Sequence, residues 1–354
     1  LVRVSDLILD LCEMNHFEEL NLDEEFYFQW HITEKCNLRC KHCYHDTYSS
    51  DNELSLTELI NVADKIGDTL KKWDKKGTLS ITGGEPFVVR DKMFPLLNHI
   101  DTLQSVHHFD ILTNGWLIND SVVGKLKKLE KLRRIQLSLE GSTPDINDEI
   151  RGSGSFEKAF DAIRLLKKNE FQVAVMMTIS SFNKDEIDPL IDLLAEERVD
   201  TFAAERFIPE GKGSALEEHF LRPEHLKQIF TRIYTRALKQ KKPRILLYRP
   251  LFALLNGDDP TVGAMCSVGT NALTIMHDGT IYPCRRLPIP IGNALTDSIY
   301  KTWYTSGLLW NIRKTSNLKG KCSGCDLIPV CRGCRAMAYT VAGDYLAEDP
   351  QCWR

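Results

Sequence analysis

Residues 26–43 read FYFQWHITEKCNLRCKHC, an alternating aromatic run that ends in three closely spaced cysteines. Phe26 to Thr33 has the period-two pattern and aromatic content of a strand, and the cysteines follow at once in a loop. Working outward, strand patterns recur at 78–82, 108–113, 134–140, 172–180 and 201–208. Helical patterns lie between them at 56–72, 121–131, 156–169 and 185–197, with Ser55 placed to cap the first. Six strand-then-helix units predict a parallel sheet with right-handed crossovers, hence an α/β fold. Six is fewer than the eight of a closed barrel, so the expectation is a partial (β/α)6 TIM-like barrel.

Four segments are expected along the chain. Residues 1–25 form a helical N-terminal extension, 26–230 the partial barrel, 231–265 a helical and loop connector, and 266–354 a small cysteine-rich C-terminal domain. The last has little apolar periodicity, so bound metal is expected to replace part of its core. Within it, short strands are expected at 272–276 and 280–282 around Asp278-Gly279, then one helix over 295–313. The formal net charge of −4 gives no electrostatic case for nucleic-acid binding. No apolar run reaches the ~18–20 residues of a membrane helix, and residues 1–16 do not read as a secretory signal. The expected compartment is a reducing cytoplasm.

Cysteine is the outlier of the composition. There are 11, an odd number, grouped at Cys36, Cys40 and Cys43 and again at Cys266, Cys284, Cys322, Cys325, Cys331, Cys334 and Cys352, with Cys12 alone. That distribution speaks against a disulfide framework and for metal ligation at two places. Three thiolates after the first strand are one ligand short of a four-thiolate site. Either His42 or His45 completes a zinc site, or an iron–sulfur cluster keeps one iron open to a small molecule. Cys12 reads as a buried structural thiol.

Cys36-x3-Cys40-x2-Cys43, with His42 in the usual aromatic slot, resembles the signature of the radical S-adenosylmethionine (AdoMet) superfamily. The next strand ends in Gly83-Gly84-Glu85-Pro86, which resembles that family's GGEP motif. The resemblance implies that Cys36, Cys40 and Cys43 are the catalytic cluster ligands, holding a 4Fe–4S cluster whose fourth iron is chelated by AdoMet. One electron then cleaves AdoMet to a 5′-deoxyadenosyl radical, which takes hydrogen from a substrate. It also implies AdoMet contacts for His42, Gly83, Gly84, Glu85, Pro86, Asn114, Ser138, Glu140 and Arg151. Gly83 and Gly84 lack Cβ and let backbone approach the methionyl ammonium. A guanidinium at Arg151 suits a carboxylate. Glu140 stands where Asp is commoner in the family, and Arg206, ending the sixth strand, is a weaker candidate.

The C-terminal cysteines resemble the SPASM domain, which carries two auxiliary 4Fe–4S clusters in relatives, making three clusters in all. Carried across, Cys322, Cys325, Cys331 and Cys352 hold one, and Cys266, Cys284 and Cys334 the other, whose fourth ligand is open. Cys331 and Cys334 are two residues apart where three is usual. Such enzymes mostly modify ribosomally made peptides by crosslinking, epimerisation or oxidation; tetrapyrrole side-chain chemistry in heme or heme d1 pathways is the alternative. Sulfatase maturation is disfavoured, because Arg285-Arg286 follows Cys284 where those enzymes have Asp. The two guanidiniums can bind a substrate carboxylate, neutralise cluster charge or lie at the surface. A non-enzymatic cluster or electron carrier is disfavoured by the intact cysteine loop and GGEP. The implied partners are a peptide or small-molecule substrate and an electron donor such as flavodoxin or ferredoxin; since only about 25 residues precede the first strand, the leader of a peptide substrate is expected to be bound by a separate leader-binding protein or by the barrel itself. Nucleic acid and membrane are not expected. Full reconstitution should give about twelve irons per chain by iron and sulfide analysis; a value near four would reject the two auxiliary clusters.

Overall fold

The computed structural model describes residues 25–259, 262–263 and 266–354. The expected N-terminal extension and Cys12 lie outside the described residues. Eight strands run parallel: β1 (Glu25–His31), β2 (Lys76–Thr82), β3 (Val106–Thr113), β4 (Leu132–Ser138), β5 (Val173–Ile179), β6 (Thr201–Arg206), β7 (Arg244–Leu246) and β8 (Ala272–Ile275). With β9 (Thr280–Tyr282) and β10 (Gly292–Asn293) added antiparallel, the order is β10-β9-β8-β1-β2-β3-β4-β5-β6-β7. The six expected strands are consecutive neighbours. Two short parallel strands flank them, and among the described residues the sheet still ends at β7 and β10 without closing.

The crossovers are α1 (Leu56–Trp73), α2 (Arg90–Thr102), α3 (Asp120–Leu126), the pair α4 (Pro144–Arg151) and α5 (Ser155–Lys168), α6 (Ile187–Glu196) and α7 (Pro223–Lys239). Ser55 caps α1 in a full capping box with Glu58. Helix α2, absent from the sequence reading, carries Pro95 inside it, which breaks the apparent pattern. The expected helix over 295–313 is two, α8 (Ile299–Thr305) and α9 (Gly307–Arg313), because Ser306 ends the first and caps the second. A last helix, α10, spans Arg335–Ala342.

The C-terminal segment does not rest on metal alone. Strand β8 pairs with β1 through Tyr27–Ala272 to Trp30–Ile275. On the helical face of β1, the Phe26 ring lies 4.4 Å from Trp73 of α1 and 5.0 Å from Trp303 of α8. Ile299, Trp303 and Leu309 are therefore part of the barrel's own core. Five of the seven C-terminal cysteines lie in the stretch from Cys322 onward. Trp303→Ala should lower the unfolding free energy of the reconstituted protein by about 3–5 kcal/mol, read as a shift in urea midpoint. An unchanged midpoint would show that the segment does not share the barrel core.

Candidate active site

The cysteine loop is fixed at its base by backbone contact with the end of β2. The Ile32 amide donates to Thr82 O, the Gly84 amide to Thr33 O and the Glu85 amide to Lys35 O, at 2.8–2.9 Å. A Cβ on Gly83 would lie 2.3 Å from Thr33 O, and one on Gly84 would lie 2.4 Å from Lys35 O. Both glycines are thus required by the loop's own packing, a reason additional to the cofactor contact expected from sequence. Pro86 starts a 3-10 turn over Pro86–Val89. Glu85 is fully buried and accepts from Thr113 Oγ1 at 2.8 Å, the Asn114 amide at 2.7 Å and the Phe87 amide at 3.1 Å. Burial nonetheless pushes its carboxyl up to about 7. In this arrangement Glu85 ties the ends of β2 and β3 together.

Polar side chains from neighbouring strand ends surround the three thiols. Asn114 Nδ2 donates to Asn37 Oδ1 at 2.9 Å and lies 3.9 Å from Cys36 Sγ. Arg151 Nη1 lies 3.9 Å from Cys40 Sγ, while its Nε and Nη2 donate to Glu140 Oε1 at 3.1 and 2.5 Å. Glu140 also meets His42 Nε2 at 3.3 Å and accepts the Thr178 amide at 2.7 Å. Burial opposes its ionisation, but Arg151 and His42 hold the carboxyl at about 2. Ser138, half-buried, ends β4 beside them. His42 lines a cavity with Ile150, Thr178 and Phe207, and its buried Nδ1 has no hydrogen-bond partner among the described residues.

The donor chemistry of this site fits a cationic cluster. Burial, then crowding by Glu85, Cys40 and Cys43, pushes the Cys36 thiol up to about 12, so the three can be thiolates together only around added positive charge. The C-terminal thiols fall into the two expected sets. Cys322, Cys325, Cys331 and Cys352 line one cavity of about 210 Å³. Cys266, Cys284 and Cys334 pack on a separate apolar patch with Leu287 and Met337. Burial and the neighbouring thiols push Cys266 up to about 12 and Cys284 to about 11. The short Cys331–Cys334 spacing is turned at Gly333, whose φ of 60° is left-handed. All ten described cysteines are free of disulfides.

The structure gives new partners to three arginines weighed from the sequence and adds two further residues, Asp349 and His31. Arg206 is not at the cofactor cavity: its Nη1 and Nη2 donate to Asp349 at 3.0 and 2.9 Å, and Nη1 donates also to Gln351 Oε1 at 3.0 Å. Asp349 in turn accepts the Cys334 amide at 2.8 Å and lines the four-thiol cavity, so one buried carboxylate touches both C-terminal sets. Arg285 and Arg286 face acidic groups, Glu210 at 3.3 Å and Glu205 at 3.4 Å, and Arg285 stacks 4.4 Å from the Tyr44 ring centroid. Finally, His31 at the end of β1 is buried beside Tyr44, His45 and Arg285, with both ring nitrogens unpartnered among the described residues. Burial, then Arg285, pushes it well below the usual imidazole range, so it is neutral. No cue in the sequence singles out His31 or Asp349.

An open α/β barrel with three thiols after β1 and two further thiol sets in its C-terminal segment defines a class of cluster-dependent radical enzyme. The radical SAM superfamily model matches residues 30–194, and the SPASM model, an iron–sulfur cluster-binding domain, matches 266–335. The chain belongs to the radical SAM superfamily and carries a SPASM domain. It is therefore an enzyme whose cofactors are AdoMet, a 4Fe–4S cluster and auxiliary iron–sulfur clusters. It is 28% identical over 344 residues to an AdoMet-dependent heme synthase of Methanosarcina barkeri, covering 91% of this chain and 95% of that one. It is also 28% identical over 349 residues to the mycofactocin maturase MftC of Mycobacterium ulcerans, covering 94% and 89%. Among solved structures, Streptococcus suis SuiB bound to precursor peptide SuiA shares the fold at TM-score 0.72 and 18% identity, over 95% of this chain and 78% of that one. The enzyme anSMEcpe with bound AdoMet and a peptide does so at 0.70 and 20%, over 93% and 94%. Among the described residues no helix is long and apolar enough to cross a membrane.

Gly84→Ala should leave iron content near wild type but cut the rate of 5′-deoxyadenosine release about 100-fold, since the cysteine loop must shift to admit the methyl group. A wild-type rate would show that the loop tolerates the displacement.

Proposed function

We propose that the protein modifies a peptide, using Cys36, Cys40 and Cys43 for the AdoMet-binding cluster and the two C-terminal thiol sets for auxiliary clusters. The bound cluster and AdoMet supply one-electron cleavage of AdoMet and hydrogen abstraction from the substrate. In this reading His42, Gly83, Gly84, Glu85, Pro86, Asn114 and Ser138 shape the AdoMet seat. Arg151 keeps Glu140 ionised, and Glu140 holds the His42 ring beside the thiols.

The observation that carries the peptide reading is the peptide held in two solved structures of the same fold, Streptococcus suis SuiB with precursor peptide SuiA and anSMEcpe with AdoMet and a peptide, which match 93–95% of this chain. The match over 94% of this chain to the maturase MftC points the same way. Tetrapyrrole chemistry is the second reading, favoured by the near end-to-end match to heme synthases. The protein would work in a reducing cytoplasm with flavodoxin or ferredoxin as donor, and a separate protein could present the peptide leader.

The test is to supply reduced, reconstituted protein and AdoMet with a library of short peptides encoded in its own genome, or with a carboxylated tetrapyrrole. The expected result is a peptide of altered mass formed together with 5′-deoxyadenosine, and an unchanged tetrapyrrole. Turnover of the tetrapyrrole alone would overturn the peptide assignment.

A further inference from the structure

At the opposite end of the sheet from the cysteine loop, Glu25 opens β1 while His107 and His108 lie near the start of β3, with Thr78 of β2 between them. Successive residues of a regular strand point to opposite faces. Here the ladder pairs Gly77 with Val106 and Thr78 with His108, which leaves His107 as an extra residue in β3. Such a bulge re-aims a side chain. The two imidazoles end with ring centroids 4.7 Å apart. His107 Nδ1 lies 2.7 Å from Glu25 Oε1. The Thr78 hydroxyl donates to Glu25 Oε2 at 2.7 Å and lies 3.1 Å from His108 Nε2.

We propose that Glu25, His107 and His108 form a divalent transition-metal site, best suited to Zn²⁺ and separate from all three thiol sets. One ligand atom from each residue falls within 4.8 Å of the others. Two imidazoles and a carboxylate, with water completing the shell, are a normal zinc donor set. Donors around tetrahedral zinc lie about 3.3 Å apart, so rotation of the 61%-exposed His107 side chain draws the set together. The nearby Arg133 charge is held by Asp110 at 2.6 and 3.0 Å. A bound ion would link the first residue of β1 to the bulge of β3 across β2.

The test is equilibrium dialysis of the fully reconstituted protein against micromolar Zn²⁺, counting zinc and iron by mass spectrometry. The expected result is about one zinc per chain with unchanged iron and a raised Tm. His107→Ala and, independently, Glu25→Gln should weaken zinc binding about tenfold or more at wild-type iron content. Three outcomes would overturn the site: no uptake by wild type, equal uptake by both variants, or zinc entering only as iron is lost. The last would mean that zinc occupies the thiols and that the histidine pair serves only as a hydrogen-bonded clasp.

Discussion

The placement of the cysteine loop depends on two missing methyl groups. Gly83 and Gly84 let the backbone of Thr33–Lys35 lie directly against the end of β2, closer than any side chain permits. That contact continues the β1–β2 pairing beyond the strands and decides where Cys36 emerges. From there Glu85 reaches β3, and the Arg151–Glu140 pair brings the end of α4 and the end of β5 to the same point. Residues from five successive strand ends thus meet because one turn has no Cβ.

The C-terminal thiols are held by a different kind of constraint. Asp349 and Arg206 are buried as a bidentate ion pair, and burying such a pair is costly unless its remaining hydrogen bonds are met. Here they are met by the Cys334 amide, the Gln351 amide and the Gln351 side chain. The pair therefore fixes the last turn of chain against β6 and fixes the two thiol sets relative to each other. Arg285 and Arg286 do similar work nearby, where their charges are already matched by Glu210 and Glu205.

What could be read from the sequence followed from local rules. Period-two and helical patterns reported β1–β6 and most crossovers, and cysteine spacing separated the three-thiol loop from the C-terminal sets. Non-local pairing was not readable. Nothing in residues 272–275 says that they will join the free edge of β1, and nothing about Arg206 says that its partner is Asp349. The one-helix reading of 295–313 failed at Ser306, a residue as compatible with a helix surface as with a cap. The roles of Gly83 and Gly84 were half visible: their lack of Cβ was noted, but the backbone that fills the space was not.

The pairing of β1 with β8 has a consequence for synthesis. Strand β1 leaves the ribosome before β2–β7, yet its second neighbour, Ala272–Ile275, is made only after them all. Until then β1 presents a bare edge carrying Phe26, Phe28 and Trp30, the kind of surface that pairs with other chains. Translation order thus makes the late strand a built-in cover for the nascent chain. Overproduction that outruns it should favour aggregation before any cluster is inserted.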